Sequence, residues 1–157
     1  MPEANLDRTE YQLSLGSEAM DVTAVHAFLS QSSYWAEGIP IEVVAKAIQG
    51  SLCLGLFHQA RQVAFARVIT DRATFAYLAD VYVLVEHRGR GLASWLMAEV
   101  VRHPDLQGLR RFVLATRDAH SLYSRFGFTP LAHPEFFMEI NRPGLYLRPS
   151  SATERAP

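Results

Sequence analysis

The chain predicts an α+β fold, a mixed and largely antiparallel twisted sheet with helices on both faces. Three observations carry this. Two helical patterns lie near the start, before most of the strands. Apolar strand patterns then follow one another from Leu52 to Val85 with no helix between them, which calls for antiparallel pairing. Beyond Val85, strand and helix alternate, which brings in strand-helix units.

Each element has a local reason. Tyr11 to Leu15 alternates and reads as a first strand. Asp21 is placed to cap a helix containing Val25, Phe28 and Leu29. Ser32 to Pro40 reads as a loop carrying Tyr34 and Trp35, and Pro40 to Gln49 as a second helix with Gly50 just past its end. Strands are expected at Leu52 to Phe57, Gln62 to Thr70 and Ala73 to Val85, the first two joined by a hairpin near His58 to Arg61. From Gly91 to His103, Leu92, Leu96 and Val100 recur every four residues beside Ala93, Met97 and Val101, giving one broad apolar helix face that Pro104 ends. A short strand at Phe112 to Ala115, a helix at Ala119 to Phe126 closed by Gly127, and strands at Phe128 to Leu131 and Phe136 to Ile140 complete the expectation.

The 157 residues suit one domain, read as residues 1–147, with polar stretches at 1–9 and 148–157 and the latter expected to be disordered. A formal net charge of −1, with no stretch dominated by Lys and Arg, argues against a general binder of nucleic acid or anionic membrane. Lys46 is the sole lysine; the remaining basic residues are Arg, suited to bidentate phosphate contacts as well as surface ion pairs. Cys53 sits among Leu52, Leu54 and Leu56, a setting for a buried inert thiol rather than a nucleophile. The polar start is unlike a signal peptide and no apolar run is long enough to span a bilayer, so a cytoplasmic location is expected. The six histidines are scattered, with no H-E-x-x-H and no Cys/His cluster, so no metal is expected. There is also no G-x-S-x-G hydrolase elbow.

The most informative segment is Glu86-His87-Arg88-Gly89-Arg90-Gly91, between a strand and a helix. Gly89 and Gly91 permit a tight turn and a close ligand approach, and the following helix offers unpaired N–H groups and a positive dipole end. That arrangement serves a phosphate, with Arg88 and Arg90 adding charge; it also serves a plain turn. Neither G-x-x-x-x-G-K-S/T nor a dinucleotide fingerprint fits, since Ser94 stands where the latter wants Gly or Ala.

A third pattern fits. Arg88-Gly89-Arg90-Gly91-Leu92-Ala93 matches Q/R-x-x-G-x-G/A, the acyl-coenzyme A signature of the GNAT N-acetyltransferases. Thr116 to Phe128 resembles the other half of that signature, a strand, a short helix with Ala119 and Tyr123, then Gly127-Phe128. Tyr123 lies four residues before Gly127, the family spacing, while Thr116 stands where many members have Asn. The segments around Tyr34-Trp35, Ser51-Leu52-Cys53, Thr70-Asp71 and Ala79-Asp80-Val81 extend the resemblance, to a bacterial subfamily, over nearly the whole chain.

The resemblance implies an acetyl-coenzyme A-dependent N-acetyltransferase that moves an acetyl group directly to a primary amine of a small molecule or peptide. It implies that Tyr82, Val83, Arg88, Gly89, Arg90, Gly91, Leu92, Ala93, Ser94, Thr116 and Leu122 hold the donor. Tyr123 becomes the proton donor to the leaving thiolate; without the resemblance it reads as a packing residue. Its phenol, with an ordinary pKa of about 10, is protonated at neutral pH. A backbone N–H near Tyr82 or Val83, at a bulge in the central strand, would meet the thioester oxygen. Asp80, the one acid inside an apolar strand, is the candidate base, or else a structural acid bound to a backbone N–H or to Arg67. His120 is a second candidate base at the acceptor side, or a surface histidine. Tyr34 and Trp35 would line the amine pocket, or pack on the sheet. The alternative is a catalytically silent acyl-coenzyme A-binding sensor or interaction module. The amine acceptor is the expected partner, with no nucleic acid or membrane, and a homodimer stays open.

Overall fold

A computed structural model describes residues 8–147. The sheet has five strands in the order β1 (Tyr11–Leu15), β2 (Leu52–His58), β3 (Arg61–Thr70), β4 (Phe75–Val83) and β5 (Arg111–Leu114). The first four pair antiparallel, and β5 runs parallel to β4. The mixed, mostly antiparallel sheet is the expected one.

Alternation along the strands sorts side chains to two faces. Cys53, Phe65 and Tyr82 meet helices α1 (Val22–Ser32) and α2 (Ile41–Gln49) in a core with Val25, Phe28, Leu29, Val44 and Ile48. Their neighbours Leu54, Leu56, Ala64, Ala66 and Val68 face the other way, onto Leu92, Leu96, Met97 and Val100 of α3 (Leu92–Arg102). Tyr123 of the short helix α4 (His120–Ser124) joins this second core. Each fully buried Leu here is worth about 2–5 kcal/mol against truncation to Ala.

The local signals act as read, with instructive exceptions. The Asp21 side chain caps α1 by accepting from the Ala24 N–H at 3.1 Å. The β2–β3 hairpin turns on Gln59 and Ala60, both at positive φ, 49° and 66°, as a two-residue turn of this hand requires. β4 is shorter than expected. At its start, the Asp71 carboxylate accepts from the N–H groups of Ala73, Thr74 and Phe75, so Ala73 and Thr74 belong to a turn. At its end, the His87 N–H bonds to the Leu84 carbonyl and Val85–His87 form a 3-10 turn. The fourth helix covers five residues rather than Ala119 to Phe126.

The strands expected at Phe128 to Leu131 and Phe136 to Ile140 are not formed. Pro130 lacks the N–H a ladder needs, and a 3-10 turn over Pro134–Phe136, closed by the Phe136 N–H on the His133 carbonyl, takes up the start of the second. At the other terminus, Arg8 does not belong to a polar tail: its guanidinium lies 4.9 Å from the Trp95 ring centroid. The expected disordered stretch, residues 148–157, lies outside the described residues.

Candidate active site

β4 makes the opening on which the site depends. It extends to Val83 but pairs with β5 only from Phe75 to Leu78, so the two parallel strands part beyond Leu78. The register with β3 also slips, Tyr82 facing Phe65 and Ala79 facing Arg67, which is a bulge. Asp80 lies in the bulge at a φ of 55°, a left-handed conformation that Asp tolerates better than most residues. The bulge expected near Tyr82 and Val83 is therefore present, slightly earlier than the peptide groups it frees.

Those groups can be followed one by one. The Leu84 N–H bonds to the Val63 carbonyl at 2.8 Å, toward β3. Its neighbour Val83 must point the other way, and the Val83 carbonyl there accepts from Arg88 Nε at 2.9 Å. The Val83 N–H shares that side, facing the gap. Arg88 therefore braces the strand end and also lines the cleft.

The glycine segment is shaped as an open cradle. Gly89 and Gly91 have φ of 75° and 76°, and a Cβ on either would meet no protein atom within 4 Å. The space is free for a ligand. Gly91 is the N-cap of α3 and supplies no side-chain cap, leaving the N–H groups of Leu92, Ala93 and Ser94 without helical partners. A network of the buried Tyr11 and His87 with the exposed Arg90 stands behind the cradle. Arg90 donates to the Tyr11 hydroxyl at 3.3 Å, and that hydroxyl lies 2.9 Å from His87 Nδ1. Burial, with His58 and Arg90 nearby, holds the His87 imidazole below its ordinary pKa.

Two clefts meet here. The first, about 460 Å³, is bounded by Tyr82, Val83, Arg88, Gly89 and Gly91, with Leu92, Ala93, Ser94 and Leu122 continuing its wall. The second, about 530 Å³, runs along Arg67, Tyr77, Asp80 and Thr116. Tyr34, Trp35, Val81 and Tyr123 line both. Tyr123 thus stands at the junction. Burial, then the neighbouring Tyr34 and Asp118, push its phenol up to about 12. Among the described residues its hydroxyl has no hydrogen-bond partner, and its ring is held edge-on to Phe128 at 6.1 Å.

The second cleft has a polar wall. Asp80 Oδ1 accepts from Trp35 Nε1 at 2.9 Å, and Oδ2 accepts from Arg67 Nε at 2.9 Å. Arg67 also donates to Ser51 Oγ at 3.1 Å, tying this wall to the end of α2. The Arg117 guanidinium lies 3.8 Å from the Tyr34 ring centroid. Tyr34 and Trp35 are half exposed and pack edge to face on each other, so they border the cleft rather than the core.

Not every expected residue reaches the clefts. Arg90 is turned to Tyr11, behind the cradle. Thr116 accepts the Ala119 N–H and lines the second cleft rather than the first. His120 starts α4, exposed, and lines neither. Ser51, Arg117, Arg125 and His87 were not foreseen. Arg125, which donates to Ser94 Oγ and lines the first cleft, lies inside the second signature segment and was the most accessible of them to sequence reasoning. Burial pushes the Cys53 thiol up to about 11, in keeping with an inert core position. Among the described residues no group of His, Cys, Asp and Glu could hold a metal ion, and no helix is long and apolar enough to cross a membrane.

Comparison with known proteins agrees with this geometry. A family model described as an acetyltransferase (GNAT) domain matches residues 49–130, which contain both signature segments. A GNAT-family protein of Xanthomonas campestris pv. campestris is 57% identical, with a TM-score of 0.85 over 87% of this chain and 96% of its own. The Gibberella zeae protein named "Putative acetyltransferase FG08082" is 32% identical over 77% of this chain and 80% of its own. A Clostridium acetobutylicum protein, whose structure includes acetyl-CoA, shares the fold at 14% identity, with a TM-score of 0.59 over 83% of this chain and 94% of its own. On these grounds the chain belongs to the GNAT family of acetyltransferases.

Proposed function

We propose that this protein transfers the acetyl group of acetyl-CoA directly to a primary amine of a small molecule or peptide. The observation that carries this is the meeting of two clefts at Tyr123, one with a phosphate-suited cradle and one with an aromatic and charged wall. The acetyl-CoA present with the Clostridium acetobutylicum relative supports the choice of donor.

In this reading, the N–H groups of Leu92, Ala93 and Ser94 hold the pyrophosphate at the head of α3, with Arg88 adding charge. The Val83 N–H, facing the gap between β4 and β5, donates to the thioester oxygen as negative charge builds there. The neutral amine attacks the carbonyl carbon from the second cleft. The C–S bond then breaks, and Tyr123 gives its phenolic proton to the leaving thiolate. The raised pKa keeps that proton in place at neutral pH.

Asp80 is engaged by Trp35 and Arg67 on both oxygens. That supports the structural side of its two readings: it sets the wall that orients the amine, and the proton lost by the amine passes to water. Positioning of two substrates at one junction supplies much of the rate.

A panel of primary amines assayed by thiol release tests the proposal. Release of coenzyme A with at least one amine, lost in Tyr123→Phe, is expected. Binding of acetyl-CoA with no release for any amine would replace the proposal with a binding module.

A further inference from the structure

Among the described residues, Arg67, Arg88, Arg117 and Arg125 line the two clefts, and three of them are engaged by the protein. Arg67 donates to Asp80 and Ser51, Arg88 to the Val83 carbonyl, and Arg125 to Ser94. Arg117 is different. Among the described residues no carboxylate, carbonyl or hydroxyl accepts from its guanidinium. It lies instead on the Tyr34 ring, 3.8 Å from the centroid, the separation of two stacked planes. Stacking sets the guanidinium plane and leaves its N–H groups directed outward past the rim of the ring. Tyr34 is itself held edge-on by Trp35 at 5.0 Å, and Trp35 is tied to Asp80. An exposed arginine that is ordered without being paired is a ready fork for a carboxylate.

The place of this fork decides what it meets. Arg117 lines the second cleft and not the first, so it faces the acceptor rather than the phosphates of the donor. Asp118, the next residue, lines both clefts, and its carboxylate has no partner among the described residues. Tyr34 and Asp118 both stand close enough to Tyr123 to raise the pKa of its phenol, so the Arg117 cation and the Asp118 anion flank the reacting junction. A small molecule with an ammonium and a carboxylate fits that pair in one direction, its amine toward Asp118 and Tyr123 and its carboxylate toward Tyr34. A phosphate dianion fits less well. The charged groups of this cleft are Arg67, Arg117, Asp80 and Asp118, which sum to zero and leave a second negative charge unmatched. Ile69, Tyr77 and Leu114 make the remaining wall apolar.

We propose that the acceptor is an amino acid with an apolar side chain, whose carboxylate is received by Arg117 on Tyr34 while its amine points to Tyr123. This rests on the acetyl-transfer reading and narrows its acceptor. Arg117 selects the substrate and takes no part in making or breaking bonds.

Phenylalanine and leucine, each beside its own amide, test the proposal by thiol release from acetyl-CoA. The ratio of kcat/KM, acid over amide, is expected to fall about 10- to 100-fold in Arg117→Gln, chiefly through the KM of the acid. Arg117→Lys keeps the charge but not the fork and is expected to fall between. Taking the ratio cancels the difference in basicity between the amines of acid and amide. Calorimetry of the two acids with protein saturated in coenzyme A gives a readout that needs no turnover, and Arg117→Gln is expected to weaken binding by a similar factor. A ratio that Arg117→Gln leaves unmoved overturns the proposal. So does a preference for O-phosphoethanolamine over both acids, or the absence of both binding and turnover with either acid. Binding that depends on Arg117 with no release of coenzyme A overturns the acetyl-transfer reading instead and leaves the carboxylate site standing.

Discussion

The two clefts that meet at Tyr123 are built from different materials. In the first, the groups suited to a phosphate are mostly backbone: the N–H groups at the head of α3, the Val83 peptide and two glycines with nothing in front of them. The second is mostly side chains, with Trp35, Asp80, Arg67 and Ser51 linked into one hydrogen-bonded wall and Arg117 laid on Tyr34. A backbone site presents the same groups to any ligand with a phosphate, and the side chains beside it can vary freely. A side-chain site changes with every substitution. This division suits a fixed donor and an acceptor particular to the protein.

The strongest test of the comparison is Tyr123, one of the residues that line both clefts. Tyr123→Phe removes one oxygen and leaves the ring against Phe128. We expect kcat to fall by about 10²-fold or more, while the KM values for acetyl-CoA and for the amine move little. With the phenol pushed up to about 12, no alkaline fall in kcat from its ionisation is expected through pH 10. Equal losses in either KM would show Tyr123 to be a cleft wall rather than the proton donor.

A smaller effect separates the second cleft from the first. Asp80→Asn keeps a residue that tolerates the left-handed backbone but removes the charge facing Arg67. The side chains of this pair are only 12% and 15% exposed, so the loss is not fully screened. We expect about 2 kcal/mol of stability to be lost, read by denaturant unfolding. We also expect a higher KM for the amine, with acetyl-CoA affinity unchanged. A changed acetyl-CoA affinity would mean that the two clefts are not separable.

The complementary test addresses the cradle. Gly91→Ala places a Cβ where the protein has open space, so the protein itself offers no clash. What remains is the left-handed backbone, a cost of about 1–2 kcal/mol for a residue with a Cβ. We expect acetyl-CoA to bind about 10-fold more weakly by calorimetry, with the amine KM unmoved.

The same division explains what the sequence could convey. The turn and helix start at Arg88 to Ser94 were legible because they lie in consecutive residues, while the choice of a coenzyme A cradle over a plain turn came from the family resemblance. The order of elements as far as β5 and the helices on both faces were legible for the same reason, since their periodicities are local. The wall of the second cleft was legible only in part: Tyr34, Trp35 and Asp80 could be named, but not how they join. Trp35, Ser51, Arg67 and Asp80 come from four separate elements, and their mutual distances depend on the bulge and on strand register. Asp80 could be singled out as an acid in an apolar strand with Arg67 or a backbone N–H as its partner, but not the choice between them, nor Trp35 as the second donor. The Phe136 to Ile140 segment failed differently. Its alternation is that of a strand, and pairing needs a neighbour that alternation cannot supply.

The smallest effect concerns the support behind the cradle. His87 is buried, with Tyr11 2.9 Å away and His58 and Arg90 close by, and these surroundings hold it below its ordinary pKa. Glu86 acts in the opposite sense but more weakly, and Arg61 adds slightly to the lowering. The unfolded chain therefore takes up a proton at a higher pH than the folded one. The sign follows: the contribution of neutral His87 is complete above about pH 6.5 and is lost as pH falls toward the folded value. Because Arg90 and Tyr11 share the network, the loss should reach the cradle as well as the fold. Thermal unfolding between pH 7.5 and 5.5 is expected to show a midpoint that declines with acid, and His87→Gln, which cannot take up the proton, should flatten that decline. An equal slope in the variant would assign the acid sensitivity to other groups, and the cradle would then rest on its backbone geometry alone.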